Sequence, residues 1–141
     1  MSDQIEQVKH FIQAMEESNI KKVDSFLSEK FVFEGPVPQP LNKENYIGFL
    51  HAMSNAFTEF KYNPSNFSEE GNTVTYAIKI TGKHTGKLAL PNINPIPATN
   101  RTFELPPEKA TITFSGDKIS KMYANVTENG GVGGIIKQLT A

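Results

Sequence analysis

The sequence predicts an α+β domain in which a curved, mostly antiparallel sheet wraps around helices that precede it, and three observations carry that prediction. Apolar residues recur at helical spacing ahead of Phe60, the period changes to two from Phe60 onward, and 141 residues is the usual size of one domain. A chain of this length buries roughly two thirds of the surface of its unfolded form, so residues 1–141 are read as a single domain around one core. No internal repeat or linker divides it.

Ile5, Val8, Ile12 and Met15 share one helical face, and Asp3 with Glu6 has the spacing of a capping pair, so a first helix is expected to run to about Glu17. Ile20, Val23, Phe26 and Leu27 repeat the spacing over a shorter second helix. Phe31-Val-Phe33 is aromatic and β-branched and reads as a strand, stopped by Gly35-Pro36 and by the prolines at 38 and 40. Asn42 can cap a third helix that carries Tyr46, Phe49, Leu50, Met53 and Phe57 on a single stripe.

Alternation is clearest at Val74, Tyr76, Ile78, Ile80, Gly82 and His84, which interleave with Thr75, Lys79, Thr81 and Lys83. Phe103 and Leu105, then Ala110, Ile112 and Phe114 beyond Pro106-Pro107, predict one long bent strand, since proline cannot donate to a central ladder. Gly116-Asp117 supplies a turn into a last strand over residues 118–127, with Met122, Ala124 and Val126 on one side and Tyr123, Asn125 and Thr127 on the other. Pro91 to Thr99, with three prolines, Asn92 and Asn94, reads as an ordered surface loop, either a pocket lid or a plain connection. Gly130-Gly131-Val-Gly133-Gly134 fails both the dinucleotide and the Walker fingerprints at Ile136, and reads as a hinge into a final helix from Val132 to Leu139.

Composition removes several function classes. Lys and Arg total 14 against 15 Asp and Glu, and a net charge of -1 gives no field able to hold nucleic acid. Without cysteine there are no disulfides, thiolate metal sites or cysteine nucleophiles. The start of the chain has neither a basic segment nor an apolar run, and no stretch of 18 apolar residues is present to span a bilayer, so a soluble cytoplasmic protein is expected. Three scattered histidines form no metal constellation, and no cofactor is expected.

Two side chains stand out as candidates for acid/base chemistry. His10 and His51 lie off the apolar helix faces, whereas His84 follows an apolar strand face and can act as acid, base or structural hydrogen-bond partner. Glu34 closes an apolar strand just before a turn, where a buried carboxylate would move a proton and a solvated one would not. Tyr76 and Tyr123 each offer a hydroxyl to a ligand carbonyl, and Arg101 beside the loop can clamp a carboxylate or phosphate.

The segment Ile80-Thr-Gly-Lys-His84-Thr-Gly-Lys-Leu88, followed by Thr99-Asn-Arg-Thr-Phe103 and by Gly116-Asp-Lys-Ile119, resembles the SnoaL-like polyketide cyclases of the nuclear transport factor 2-like superfamily. That resemblance implies a cone-shaped fold around one apolar pocket, here expected to be lined by Phe33, Phe49, Phe103 and Met122 with Tyr76 and Arg101. Lys118-Ile-Ser-Lys-Met-Tyr-Ala124 and Val32-Phe-Glu34-Gly-Pro36 are also similar to segments of ketosteroid isomerases, which implies Glu34 as general base. The resemblance further places Thr127 where the cyclases carry a catalytic aspartate, and a threonine cannot shuttle a proton as a carboxylate does. No tyrosine precedes Tyr46 and no acid lies in Ala110-Thr-Ile-Thr-Phe114, so the isomerase oxyanion hole is missing.

Three readings follow: a module binding a small apolar or aromatic molecule, an acid/base isomerase or cyclase using Glu34 or His84, and a dimerisation or interaction domain without ligand. The superfamily commonly pairs through its open sheet face, and Thr73, Thr75, Thr81, Thr111, Thr113, Asn125 and Thr127 suit such an interface, so a homodimer is expected.

Overall fold

Residues 3–35, 39–91, 93–125 and 127–140 are described by a computed structural model. Pro36, Pro38, Asn92 and Val126, which enter the readings above, lie outside the described residues.

Helical spacing is realised in α1 (Asp3–Glu16), α2 (Ile20–Phe26) and α3 (Lys43–Ala56). α1 buries Val8, Phe11, Ile12, Ala14 and Met15, and Asp3 and Glu6 occupy its first turn, where carboxylates complement the helix dipole. Asn19 Oδ1 accepts from the backbone N–H of Lys22 at 3.2 Å to start α2, and Asn42 Oδ1 accepts from that of Asn45 at 2.8 Å to start α3. Leu27 and Phe57 differ from the expectation, since neither ends a helix. Each has extended backbone and opens a strand, β1 (Leu27–Glu34) and β3 (Phe57–Lys61) respectively. The chain passes from helix to strand with no loop between, so both side chains stay buried although the period changes under them.

The remaining strands are β2 (Leu41–Asn42), β4 (Ser65–Glu70), β5 (Thr73–Ile78), β6 (Thr81–His84), β7 (Thr102–Glu104), β8 (Glu108–Ser115) and β9 (Lys118–Ala124). Six of the strands form a sheet in the order β2-β1-β9-β8-β5-β4, and three form another in the order β3-β6-β7. β1 and β9 pair in parallel, and every other pairing is antiparallel.

Both long alternating runs are broken where the chain changes sheet. β5 ends at Ile78 and β6 begins at Thr81, and the run predicted as one bent strand is divided into β7 and β8 around Pro106 and Pro107. The prolines lack the N–H that a continuous ladder needs. The two breaks lie side by side, because the Leu105 N–H donates to the Ile80 carbonyl at 2.8 Å. β9 stops at Ala124 and not at Thr127, after the Asn125 N–H has donated to the Lys109 carbonyl at 2.9 Å. α4 (Gly131–Leu139) then buries Gly134, Ile135 and Leu139.

Two apolar clusters result. The larger packs α1, α2 and the first half of α3 against the inner face of the six-stranded sheet, with Phe11, Phe31, Tyr46, Tyr76, Ile112 and Phe114 at its centre. The smaller joins Met53 and Phe57 to Leu88, Phe103, Leu105, Ile135 and Leu139. The outer face of the large sheet stays open, where Thr73 pairs with Thr113, Thr75 with Thr111, and Thr111 with a 39 % exposed Tyr123.

Removing the α3 cap with Asn42→Ala is expected to cost about 1 kcal/mol. The thermal midpoint should fall by about 4 °C, read by circular dichroism. An unchanged midpoint would show that the cap contributes nothing.

Candidate functional site

α3 has two working faces, a consequence of its 3.6-residue period. Tyr46, Leu50, Met53 and Ala56 turn into the two cores, while Asn45, Gly48, Phe49 and Ala52 face a cavity of about 1040 Å³. Opposite them lie Ala89, Leu90, Pro91 and Ile93 of the loop after β6. Leu88 and Ile96 exchange backbone hydrogen bonds at 2.9 and 3.0 Å, which pin the base of that loop and hold it over the cavity. Val132, Gly133 and Ile136 of α4 form a third side, completed by Gly35, Thr127 and Gly130. Most of the wall is therefore carbon, with polar groups supplied by Glu44, Asn45 and Thr127.

Gly35 ends β1 with φ of +120°, and a Cβ there would stand 2.0 Å from the Ala124 carbonyl oxygen, so only glycine lets the chain turn past β9. At Gly130 a Cβ would stand 2.2 Å from Glu108 Oε2. That carboxylate escaped the sequence reading. Glu108 is 6 % exposed at the start of β8, and Thr127 Oγ1 donates to its Oε2 at 3.0 Å. Burial pushes the Glu108 carboxyl above its ordinary value, partly offset by the Thr127 hydroxyl and the Gly131 backbone N–H. Because α4 has no side-chain cap at Gly130, the carboxylate also sits where the first-turn amides of that helix need an acceptor. The signal was present in the period-two series Glu108, Ala110, Ile112, Phe114, but the sequence reading picked out only the apolar members of that series.

The structure does not bring Glu34 and His84 into one pocket. Glu34 stands beside Tyr123 on the outer face of the sheet, and its carboxylate pairs with Lys121 Nζ at 3.0 Å. His84 is fully buried, with its ring 5.4 Å from that of Phe57. Its Nδ1 receives the Thr99 backbone N–H at 3.2 Å and lies 3.0 Å from Thr99 Oγ1, so this nitrogen is an acceptor and the ring ties the loop to β6. Nε2 has no hydrogen-bond partner. Burial pushes the imidazole below its ordinary value, and the Gly86 backbone opposes this only in part.

Among the expected lining residues, Phe49 is in the wall. Phe33 and Met122 lie in the larger core, Phe33 with its ring 5.0 Å from Tyr46. Tyr76 is stacked on Phe67 at 5.3 Å in that same core, and burial pushes its phenol well up. Phe103 packs edge-on to Phe57 at 5.3 Å in the smaller core. Arg101 is exposed and donates to the Gln138 carbonyl at 3.2 Å, fastening α4. Aromatic residues on inward strand faces were predicted to line the pocket, and they fill the cores instead. Gly48, Ala52, Leu90, Val132 and Ile136, which do line it, are small or aliphatic and carry no chemical signal. Thr127 turns into the cavity and away from the outer sheet face assigned to it above.

A sheet opened into a cone, with a mainly apolar cavity beside its helices, defines the nuclear transport factor 2-like class of folds. The family model for the SnoaL-like domain matches residues 8–122, and the chain belongs to that family. A candidate polyketide cyclase from Xanthomonas campestris pv. campestris superposes with a TM-score of 0.77 at 14% identity, covering 96% of each chain. A candidate hydroxylase from Streptomyces galilaeus gives 0.79 at 11% identity over 99% of this chain and 97% of that one. A nuclear transport factor 2-like protein of unknown function from Burkholderia pseudomallei gives 0.75 at 13% identity over the whole of both chains. No curated protein matches the sequence. No described helix is long and apolar enough to cross a membrane.

The two buried titratable groups bend the pH dependence of stability in opposite senses. For His84 the unfolded chain binds the proton more readily, so its contribution is complete above about pH 6.5 and falls away as pH drops toward the lowered folded value. For Glu108 the folded chain holds the proton more readily, so its contribution is complete below about pH 4.3 and is lost as pH rises through the raised folded value. Urea melts from pH 4 to 8 are expected to lose the first arm in His84→Asn and the second in Glu108→Gln. Identical profiles in wild type and either variant would remove the corresponding assignment.

Proposed function

We propose that the protein binds a small, mainly apolar or aromatic molecule in the cavity between α3, the loop over residues 85–101 and α4. The observation that carries this reading is the cavity itself, about 1040 Å³ with a wall that is mostly carbon and a few polar groups. Its size lies at the upper end of the roughly 300–1,000 Å³ typical of small-molecule sites, room enough for a fused-ring ligand. Polyketide-like compounds are the natural first trial, since candidate polyketide cyclases are among the proteins sharing this fold. Catalytic roles for Glu34 and His84 form no part of the reading, because neither side chain is in the wall.

The outer sheet face supports a further element of the proposal, a homodimer built on Thr73, Thr75, Thr111, Thr113 and Tyr123. This face is half-buried and moderately polar, and Tyr123 is an exposed ring on it. Light scattering after size exclusion should return a dimer for wild type and a monomer for Tyr123→Lys. A wild-type monomer at all concentrations would end this element without touching the cavity.

Gly48 allows a direct test of the cavity. A Cβ added there meets nothing within 4 Å, and the residue is in the middle of α3. Gly48→Leu should fill the space and keep the fold, with a thermal midpoint equal to or above wild type because glycine is a poor helix former. Calorimetric titration with fused-ring aromatic and steroid-like compounds is expected to show binding to wild type that weakens at least about tenfold in the variant. Unchanged binding in Gly48→Leu would move the ligand elsewhere.

A further inference from the structure

The Thr127–Glu108 pair gives the cavity a chemical preference. We propose that Thr127 Oγ1 is the polar anchor of the site and selects ligands that present a hydroxyl or N–H donor over those that present only a carbonyl or ether oxygen. The inference rests on the small-molecule reading above and deepens it.

Thr127 is in the cavity wall, and its hydroxyl has two oxygens within reach. Glu108 Oε2 lies at 3.0 Å and the Asn125 carbonyl at 3.4 Å. A hydroxyl has one proton to give and two lone pairs to receive with. A carbonyl and a carboxylate only accept, so whichever of them takes the proton, Oγ1 has lone pairs alone left to offer a ligand. A ligand O–H or N–H completes the chain from donor to Thr127 to Glu108, whereas a ligand carbonyl would meet oxygen lone pair to lone pair.

The orientation is built in. Glu108 is 6 % exposed, and its Oε2 lies so close to Gly130 that a Cβ there would stand 2.2 Å from it, so the carboxylate occupies the space a side chain at 130 would take. The Gly131 backbone N–H faces the same carboxyl and favours its ionised, accepting form against the burial that favours the protonated one, which is why the test is run at pH 8. Elsewhere on the wall, the Asn45 backbone N–H is engaged by the Asn42 cap, the Asn45 carboxamide can donate or accept and so favours neither ligand type, and Glu44 when ionised is a second acceptor. The wall therefore pairs a large carbon surface with a directed acceptor, which suits a phenol, an enol or an alcohol on an apolar ring system.

The test uses 2-naphthol and 2-methoxynaphthalene, which share one ring system and differ in whether the oxygen carries a proton. By calorimetry or ligand-observed NMR at pH 8, wild type is expected to prefer 2-naphthol by roughly tenfold, the scale of one directed hydrogen bond to a charge-backed acceptor. Thr127→Val keeps the shape of the side chain and should bring the two affinities together. Glu108→Gln supplies an NH₂ that can donate to Oγ1, releases the hydroxyl proton toward the cavity, and should reduce or reverse the preference. Equal binding of both probes to wild type, or a preference that survives Thr127→Val or Glu108→Gln, overturns the proposal and leaves the cavity reading standing. Failure of wild type to bind either probe, or any compound whose binding Gly48→Leu weakens, overturns the cavity reading and this proposal with it.

Discussion

One hydrogen bond, from the Leu105 N–H to the Ile80 carbonyl, marks the place on which the rest of the architecture depends. Here both long strands leave the six-stranded sheet together and re-form as β6 and β7 beside β3. Pro106 and Pro107 make the exit obligatory on one strand, because two successive residues without N–H cannot continue a ladder. Only Lys79 and Ile80 separate β5 from β6, and an even number of residues preserves which side faces inward. Tyr76, Ile78, Gly82 and His84 therefore all remain buried across the break, although they belong to different sheets and different cores.

The departure of β6 and β7 creates an edge and a space, and the structure treats them separately. At the edge, Gln138 of α4 lies against β7, receiving the Glu104 N–H at 3.2 Å and donating to the Glu104 carbonyl at 2.8 Å, as a neighbouring strand would. Arg101 adds its bond to the Gln138 carbonyl, and Ile135 and Leu139 bury the inner side of the helix in the smaller core. The space is left between this helix and α3, where small residues at 48 and 52 keep the walls apart. Glu108 joins the two arrangements, since its carboxylate stands in for the cap that α4 lacks and accepts from the Thr127 hydroxyl of the wall.

A burial-raised carboxyl at this point is a compromise between two demands. Taken alone, a charge removed from water is unfavourable, and the direction of the Glu108 shift shows that desolvation outweighs the bonds it receives. A polar anchor held by a rigid buried partner gives a definite hydrogen-bonding sense in return, which a solvated glutamate would not. The same fold in proteins of 11 and 14% identity shows that the cone tolerates nearly complete change of sequence, so the fold by itself assigns no chemistry.

What the sequence by itself determined is local and periodic. Helix faces, the Asn42 cap, the alternation of the strands, the loop after Leu88 and the solvated positions of His10 and His51 all follow from spacing over a few residues, which the backbone enforces without help from distant parts. The α+β class and the family were legible for the same reason, because an order of elements survives when their boundaries move. Tertiary structure decided everything that depends on two segments meeting. Whether Phe33 and Phe103 fill a core or line a pocket turns on which sheet their strand joins, and whether Glu34 is inward turns on the strand laid beside it. The register of Glu108 with Ala110 and Ile112 was periodic and legible, but its meeting with Thr127 and Gly130, beyond β9, was not, because contact between residues that distant along the chain leaves no periodic trace.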